Sequence, residues 1–145
     1  MRILVVSQHY WPEPLDSTQI CEGLVERGHE VCVLCGEPNY PEGTIYPGYD
    51  ARELRREERN GVQIVRVPLH PRKTGPVHRV WNYYSFAASA TKVAAELPGD
   101  FDVVLSYQTS PVMMARPALA YAKRTGVPLL RIYELRRELY ALFEI

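Results

Sequence analysis

Arg2-Ile3-Leu4-Val5-Val6 is an apolar run that breaks into Ser7-Gln8-His9-Tyr10-Trp11-Pro12-Glu13-Pro14. An amphipathic stretch follows, ends at Arg27-Gly28-His29, and leads into a second apolar run, Val31-Cys32-Val33-Leu34. A buried parallel strand, a right-handed crossover helix and a second parallel strand are the economical reading. Open sheets of that kind bind ligands at the carboxyl ends of their strands. Here that end carries a polar, aromatic, proline-stiffened loop. It lacks the Gly-x-Gly-x-x-Gly that brings a backbone against a dinucleotide pyrophosphate, so the first crevice is built for something other than NAD.

The pattern continues outward from this unit. Gly36 to Gly48 is a long loop rich in proline and glycine, and Val62 to Val67 is a strand after the turn signal Asn60-Gly61. Tyr83, Ala87, Ala90, Ala94 and Leu97 recur at steps of four and three, the spacing of one helix face. Asp102 to Tyr107 is a further strand, Pro111 opens a helix that Thr125-Gly126 closes, and Val127 to Tyr133 is the last strand. Strands and helices in this alternation indicate an α/β fold: a Rossmann-like, doubly wound parallel sheet covered on both faces. The unstructured Pro38 to Tyr49 is long for a compact domain, which makes it a candidate active-site flap.

Composition narrows the function classes. The chain has 145 residues, 46% of them hydrophobic, with seventeen basic and seventeen acidic residues. The charges cancel, so no global field argues for nucleic acid. Cations do gather locally. Arg52 to Arg59 interleaves them with acids and reads as a solvated surface face, whereas His70, Arg72, Lys73, His78 and Arg79 are free of acids in a proline-broken loop. Arg72, Lys73 and Arg79 are therefore candidates for phosphate or lipid headgroups. The stretch Val80 to Leu97 is interrupted by Asn82, Ser85, Ser89, Lys92 and Glu96, too polar for a spanning helix. Cys21, Cys32 and Cys35 are odd in number and follow no secretory signal, so a reducing cytoplasm and structural thiols are expected. Cys32-Val33-Leu34-Cys35 has the gap of a zinc pair, but no second ligand pair lies downstream. No metal and no cofactor are expected.

Several stretches together resemble the N-terminal half of family 4 glycosyltransferases of the GT-B fold. They are Val5-Val6-Ser7-Gln8-His9-Tyr10-Trp11-Pro12-Glu13, Arg27-Gly28-His29-Glu30-Val31, Pro38-Asn39-Tyr40-Pro41-Glu42-Gly43, Arg66-Val67-Pro68-Leu69, Asn82-Tyr83-Tyr84-Ser85-Phe86 and Tyr107-Gln108-Thr109-Ser110-Pro111. The branch most like this chain builds bacterial surface polysaccharides, namely colanic acid and O-antigen. The resemblance implies a retaining transfer from a nucleotide-sugar donor to a saccharide or polyprenyl-linked acceptor at the inner face of the membrane. It also implies that the N-terminal domain holds the acceptor, that the donor partner binds a C-terminal domain, and that protein charges replace a metal at the diphosphate.

On that reading residues 1–145 are the acceptor-side domain without its donor domain: a truncated product, a domain fragment or half of a split enzyme. The family's Asp-Leu-Trp-Pro-Glu is replaced by Glu134-Leu135-Arg136-Arg137-Glu138, so Glu134 to Ile145 is expected to run on as a helix. An isolated half would expose the wall facing its partner domain and invite homo-oligomers.

The acceptor-side candidates are Glu13, Asp16, Ser17, Thr18, Tyr40, Gln108, Thr109 and Ser110. Asp16 or Ser17 serves equally as a helix cap, and Tyr40 as a loop anchor. His9 titrates in the right range for a base but has no identifiable partner carboxylate, and the catalytic residue stays unassigned. Two other classes compete: a non-catalytic binding or regulatory remnant that keeps the acceptor crevice, and an unrelated doubly wound module. The second lacks the clustered acids of a response regulator and the phosphate-cradling loop of a flavodoxin.

Overall fold

The computed structural model describes residues 1–50, 52–108 and 111–133. Among these, β1 (Arg2–Val6), β2 (Glu30–Gly36), β3 (Arg55–Arg59), β4 (Val62–Val67), β5 (Val103–Gln108) and β6 (Leu129–Tyr133) form one sheet in the order β3-β4-β2-β1-β5-β6. All neighbours are parallel except β3 against β4. The expected Rossmann-like, doubly wound architecture is the one observed.

Period-two alternation distributes the side chains of β1 between two cores. Leu4 and Val6 join Leu34, Val65, Val67 and Val104 beneath α2 (Pro76–Glu96) and α3 (Arg116–Thr125). Ile3 and Val5 join Val31, Val33, Ile64 and Leu105 on the face that α1 (Ser17–Glu26) covers through Cys21, Leu24 and Val25. The expected face of α2 is the packed one, with Ala87, Ala90, Ala94 and Leu97 buried and Tyr83 against the same core.

One expectation is extended and one corrected. The solvated segment Arg52 to Arg59 contains an element the sequence did not announce, the antiparallel edge strand β3, in which Arg56 and Glu58 are exposed while Arg55, Glu57 and Arg59 are half-buried. Its charges mask the strand signal, and they suit an edge that must not pair with another chain. The turn Asn60-Gly61 has both residues at positive φ (50° and 79°), the geometry of a two-residue hairpin, and Arg59 pairs directly with Val62. The helix expected from Pro111 begins instead as a 3-10 turn (Val112–Ala115) before α3. Pro117 lies in the first turn of α3 and has no N–H to donate back to Met113, so one continuous α-helix is excluded. The expected helix at Glu134 to Ile145, and with it the altered family motif, lies outside the described residues.

Candidate functional site

Chain order sets the position of the site. β2 lies on one side of β1 and β5 on the other, so the winding reverses between β1 and β5, where crevices open in such sheets. A small depression is found there, lined by Ser7, Gln8 and His9 beyond β1, Leu15 before α1, Tyr107 and Gln108 at the tip of β5, and Met114. Of the residues singled out in the sequence as acceptor-side candidates, Gln108 lines this depression, whereas Glu13, Asp16, Ser17, Thr18 and Tyr40 do not.

Backbone and side-chain bonds hold the β1 tip in place. Ser7 N donates to Leu34 O at 3.1 Å and Gly36 N to Gln8 O at 2.9 Å, extending the β1–β2 pairing past Val6. The His9 carbonyl accepts the hydroxyls of Ser7 (2.6 Å) and Ser17 (3.1 Å). Neither Asp16 nor Ser17 caps α1 through its side chain: Asp16 is exposed, helical in backbone and without a cap bond, and the Ser17 hydroxyl is committed to His9. The Thr18 hydroxyl is buried with no hydrogen-bond partner among the described residues.

His9 does have a partner carboxylate. Its Nδ1 lies 3.0 Å from Glu13 Oε1, both residues are buried, and the separation of four residues sets them on one turn of chain. A carboxylate only accepts, so Nδ1 carries the shared proton. The same Glu13 oxygen accepts Asn39 N (2.9 Å) and Tyr40 N (2.8 Å), while Oε2 accepts Tyr10 N (3.1 Å). Glu13 therefore fastens the root of the Pro38 to Tyr49 loop under the β1 tip. That loop is further closed by Tyr46 N to Pro38 O (2.9 Å) and by the Tyr46 hydroxyl to Tyr40 O (2.6 Å).

Tyr40 lies beside the site, its ring 5.5 Å from that of His9, with the Arg72 guanidinium 5.4 Å from its centroid. Arg72 is thus brought to the site, whereas Lys73 is exposed on the segment leading into α2 and Arg79 is exposed within α2 itself, so that His78 and Arg79 are helical and not part of the expected loop. Gln108 is 1% exposed; its Nε2 donates to Ser106 Oγ at 3.0 Å, and its Oε1 has no partner among the described residues. Thr109 and Ser110 lie outside the described residues.

A chain of buried amides was missed in the sequence. Gln8 Nε2 donates to Asn82 Oδ1 (2.6 Å), and Asn82 Nδ2 donates to His70 O (2.7 Å) and Asn39 Oδ1 (3.2 Å). Asn39 Oδ1 also accepts Arg72 N at 3.0 Å. The signal available was Asn82 itself, an amide on the buried face of α2 whose other members, Phe86, Ala87, Ala90 and Ala94, are apolar. A second missed residue is Arg66, fully buried on β4, which donates to Glu57 Oε1 (2.6 Å) and to the Trp11 carbonyl, pinning the loop beyond β1.

The three cysteines are buried structural groups. Burial pushes the thiols of Cys21 and Cys35 up to about 12 and that of Cys32 up to about 11. Burial likewise raises the Glu37 carboxyl at the end of β2, where its Oε1 has no partner among the described residues. No group of three or more metal-ligating side chains is found among the described residues.

Comparison with known proteins bears on the fold and the family. The chain is 33% identical over 95 residues to WcaI of Escherichia coli K12, a protein named for glycosyl transfer in colanic acid biosynthesis; the match covers 62% of this chain and 23% of that one. Among solved structures, the C-terminal domain of the PF1911 hydrogenase of Pyrococcus furiosus superposes with a TM-score of 0.56 at 17% identity over 90% of each chain. An E. coli trehalose-6-phosphate protein bound with UDP-2-fluoro glucose superposes with a TM-score of 0.51 at 14% identity, over 88% of this chain and 31% of that one. These likenesses show the Rossmann-like fold. A family model describing the glycosyl transferase 4-like domain matches residues 16–141, and the chain belongs to that family.

Proposed function

We propose that this chain is the acceptor-binding portion of a retaining glycosyltransferase that moves a sugar from a nucleotide-sugar donor to a lipid-linked or saccharide acceptor in bacterial surface polysaccharide synthesis. The observation that carries the reading is Gln108 Oε1, which has no partner among the described residues and lies in the wall of the depression where the winding of the sheet reverses. A buried carbonyl oxygen without a donor is costly, and a sugar hydroxyl supplies that donor. Gln8 and Ser7 add polar groups from just beyond the neighbouring strand β1, and Tyr40 offers a ring on which a sugar face stacks. Arg72 beside that ring supplies positive charge for the diphosphate of a lipid-linked acceptor. Thr109 and Ser110, next in sequence after Gln108, are carried as further acceptor-side groups on the strength of the sequence alone. Asp16, exposed beside the lining residue Leu15, offers a carboxylate to sugar hydroxyls, while Glu13 acts from below by holding His9 and Tyr40.

Donor binding falls to a second domain, which makes the isolated chain a binder without transfer activity. Titration calorimetry with a polyprenyl-diphosphate-linked monosaccharide tests this. Binding that Gln108→Leu weakens about tenfold or more supports the reading. Absence of binding, or binding indifferent to both Gln108→Leu and Tyr40→Ala, overturns it.

A further inference from the structure

The outward face of α2 is apolar where a helix seated on a sheet ordinarily shows polar side chains. Its inner face buries Asn82, Phe86, Ala87, Ala90 and Ala94, yet Val77, Val80, Trp81 and Tyr84 on the opposite side are each at least half exposed. With Pro76 these four line a shallow apolar groove over the first turns of the helix. From His70 to Ala95 the chain carries Arg72, Lys73, Arg79 and Lys92 and not one acid, and the last three cations are exposed. The His70 and His78 rings stack at the root of the patch, with Trp81 6.3 Å from His70.

We propose that this face docks on an anionic phospholipid bilayer, with Val77, Val80, Trp81 and Tyr84 inserted at headgroup level and Lys73, Arg79 and Lys92 meeting lipid phosphates. Two features select a bilayer over a protein wall. Trp and Tyr carry an apolar body with a polar tip, and Lys and Arg bury apolar stems beneath a charged head, the side-chain set suited to a membrane interface. The acid-free run of cations, in a chain of zero net charge, concentrates positive charge where the apolar groups emerge.

Docking here has a consequence for the crevice. Asn82 follows Trp81 and is bonded inward to Gln8, which lines the depression, so the membrane face and the crevice are tied by one buried side-chain pair. The inference deepens the acceptor reading by naming the surface that brings a membrane-linked substrate to the site. It stands on α2 and the segment just before it, so its failure would leave saccharide binding at Gln108 untouched.

Co-sedimentation of the full chain with vesicles separates the outcomes. Vesicles of phosphatidylcholine and phosphatidylglycerol in equal parts should carry the chain down, and pure phosphatidylcholine should not. Trp81→Ala with Tyr84→Ala should lower partitioning by about tenfold or more. Lys73→Glu with Arg79→Glu should do the same and remove the salt dependence. These residues are exposed, and circular dichroism checks that the variants fold. Absence of binding to the anionic vesicles, or binding unchanged by the aromatic pair, overturns the proposal. So does a dimer in sedimentation velocity that Trp81→Ala with Tyr84→Ala dissolves, which would make the face a contact between copies of this chain.

Discussion

The carboxylate of Glu13 and the backbone amide of Asn39, 26 residues apart in the chain, meet at 2.9 Å beneath the tip of β1. With Tyr40 N, Tyr10 N and His9 Nδ1 the carboxylate has four donors and no exposed side-chain surface. Glu13→Gln keeps the volume but replaces one acceptor oxygen with a donor, so at least one buried N–H loses its partner. The expected cost is about 2 kcal/mol, that of hydrogen bonds to a charged acceptor. Urea denaturation reads it, and hydrogen exchange at Asn39 and Tyr40 should quicken in step. Unchanged protection there would show that the loop root is held by other means.

That clamp shows where sequence reading stops. The apolar runs of β1, β2, β4 and β5 announce themselves because a strand buried on both faces needs an unbroken apolar stretch. β3 does not, since Arg55 to Arg59 is half solvated and its strand character depends on Val62–Val67 lying alongside. Gln108 could be placed because a polar residue ending such a run falls at a strand tip. Glu13 was recognisable as a polar residue near the crevice. Its inward aim was not, because the amides it satisfies arrive from a loop whose path only the folded chain fixes. The same holds for Gln8 and Asn82, 74 residues apart in sequence and 2.6 Å apart in space.

Arg66 should be among the least replaceable side chains. It is fully buried and joined to Glu57, to the Trp11 carbonyl and, at 3.5 Å, to Cys35 Sγ. Arg66→Met leaves Glu57 and the Trp11 carbonyl short of their donor, and we expect a loss of about 3 kcal/mol in urea unfolding. Removing both charges with Arg66→Met and Glu57→Gln should cost less than the sum of the two single variants, because the bond between them is lost only once, while Glu57 keeps its second partner Arg55 (3.2 Å) in Arg66→Met alone. A double variant at least as unstable as the sum of the singles would refute the pairing.

The cysteines predict an alkaline limit. Their folded values, about 12, 11 and 12, lie above the roughly 8.5 of a thiol in an unfolded chain. Between those values the unfolded state has lost its thiol protons while the folded state keeps them. The stability is therefore complete below about pH 8.5 and declines as pH rises toward the folded values. Urea midpoints taken across that range should fall, and a variant carrying Cys21→Ala, Cys32→Ala and Cys35→Ala should fall less steeply. Native thiols should also react with a disulfide reagent only as fast as the chain opens. Rapid labelling of the folded protein would contradict their burial.

Gly36 ties strand packing to the site. A Cβ at this position would stand 2.3 Å from Leu69 Cδ2 and 3.3 Å from the Gln8 carbonyl that accepts the Gly36 amide. In Gly36→Ala the leucine side chain can rotate away, but the Gln8 backbone is fixed by that same hydrogen bond. The strain should cost about 1–3 kcal/mol. Gln8 lines the depression, so Gly36→Ala should also weaken any saccharide bound there more than its loss of stability explains. Adding Leu69→Ala makes room for the methyl group. The pair should be more stable than the sum of the two single losses while the weakened binding persists, because relief at Leu69 does nothing for Gln8. Full recovery of binding in the double variant would assign the whole effect to Leu69 and remove Gly36 from the site.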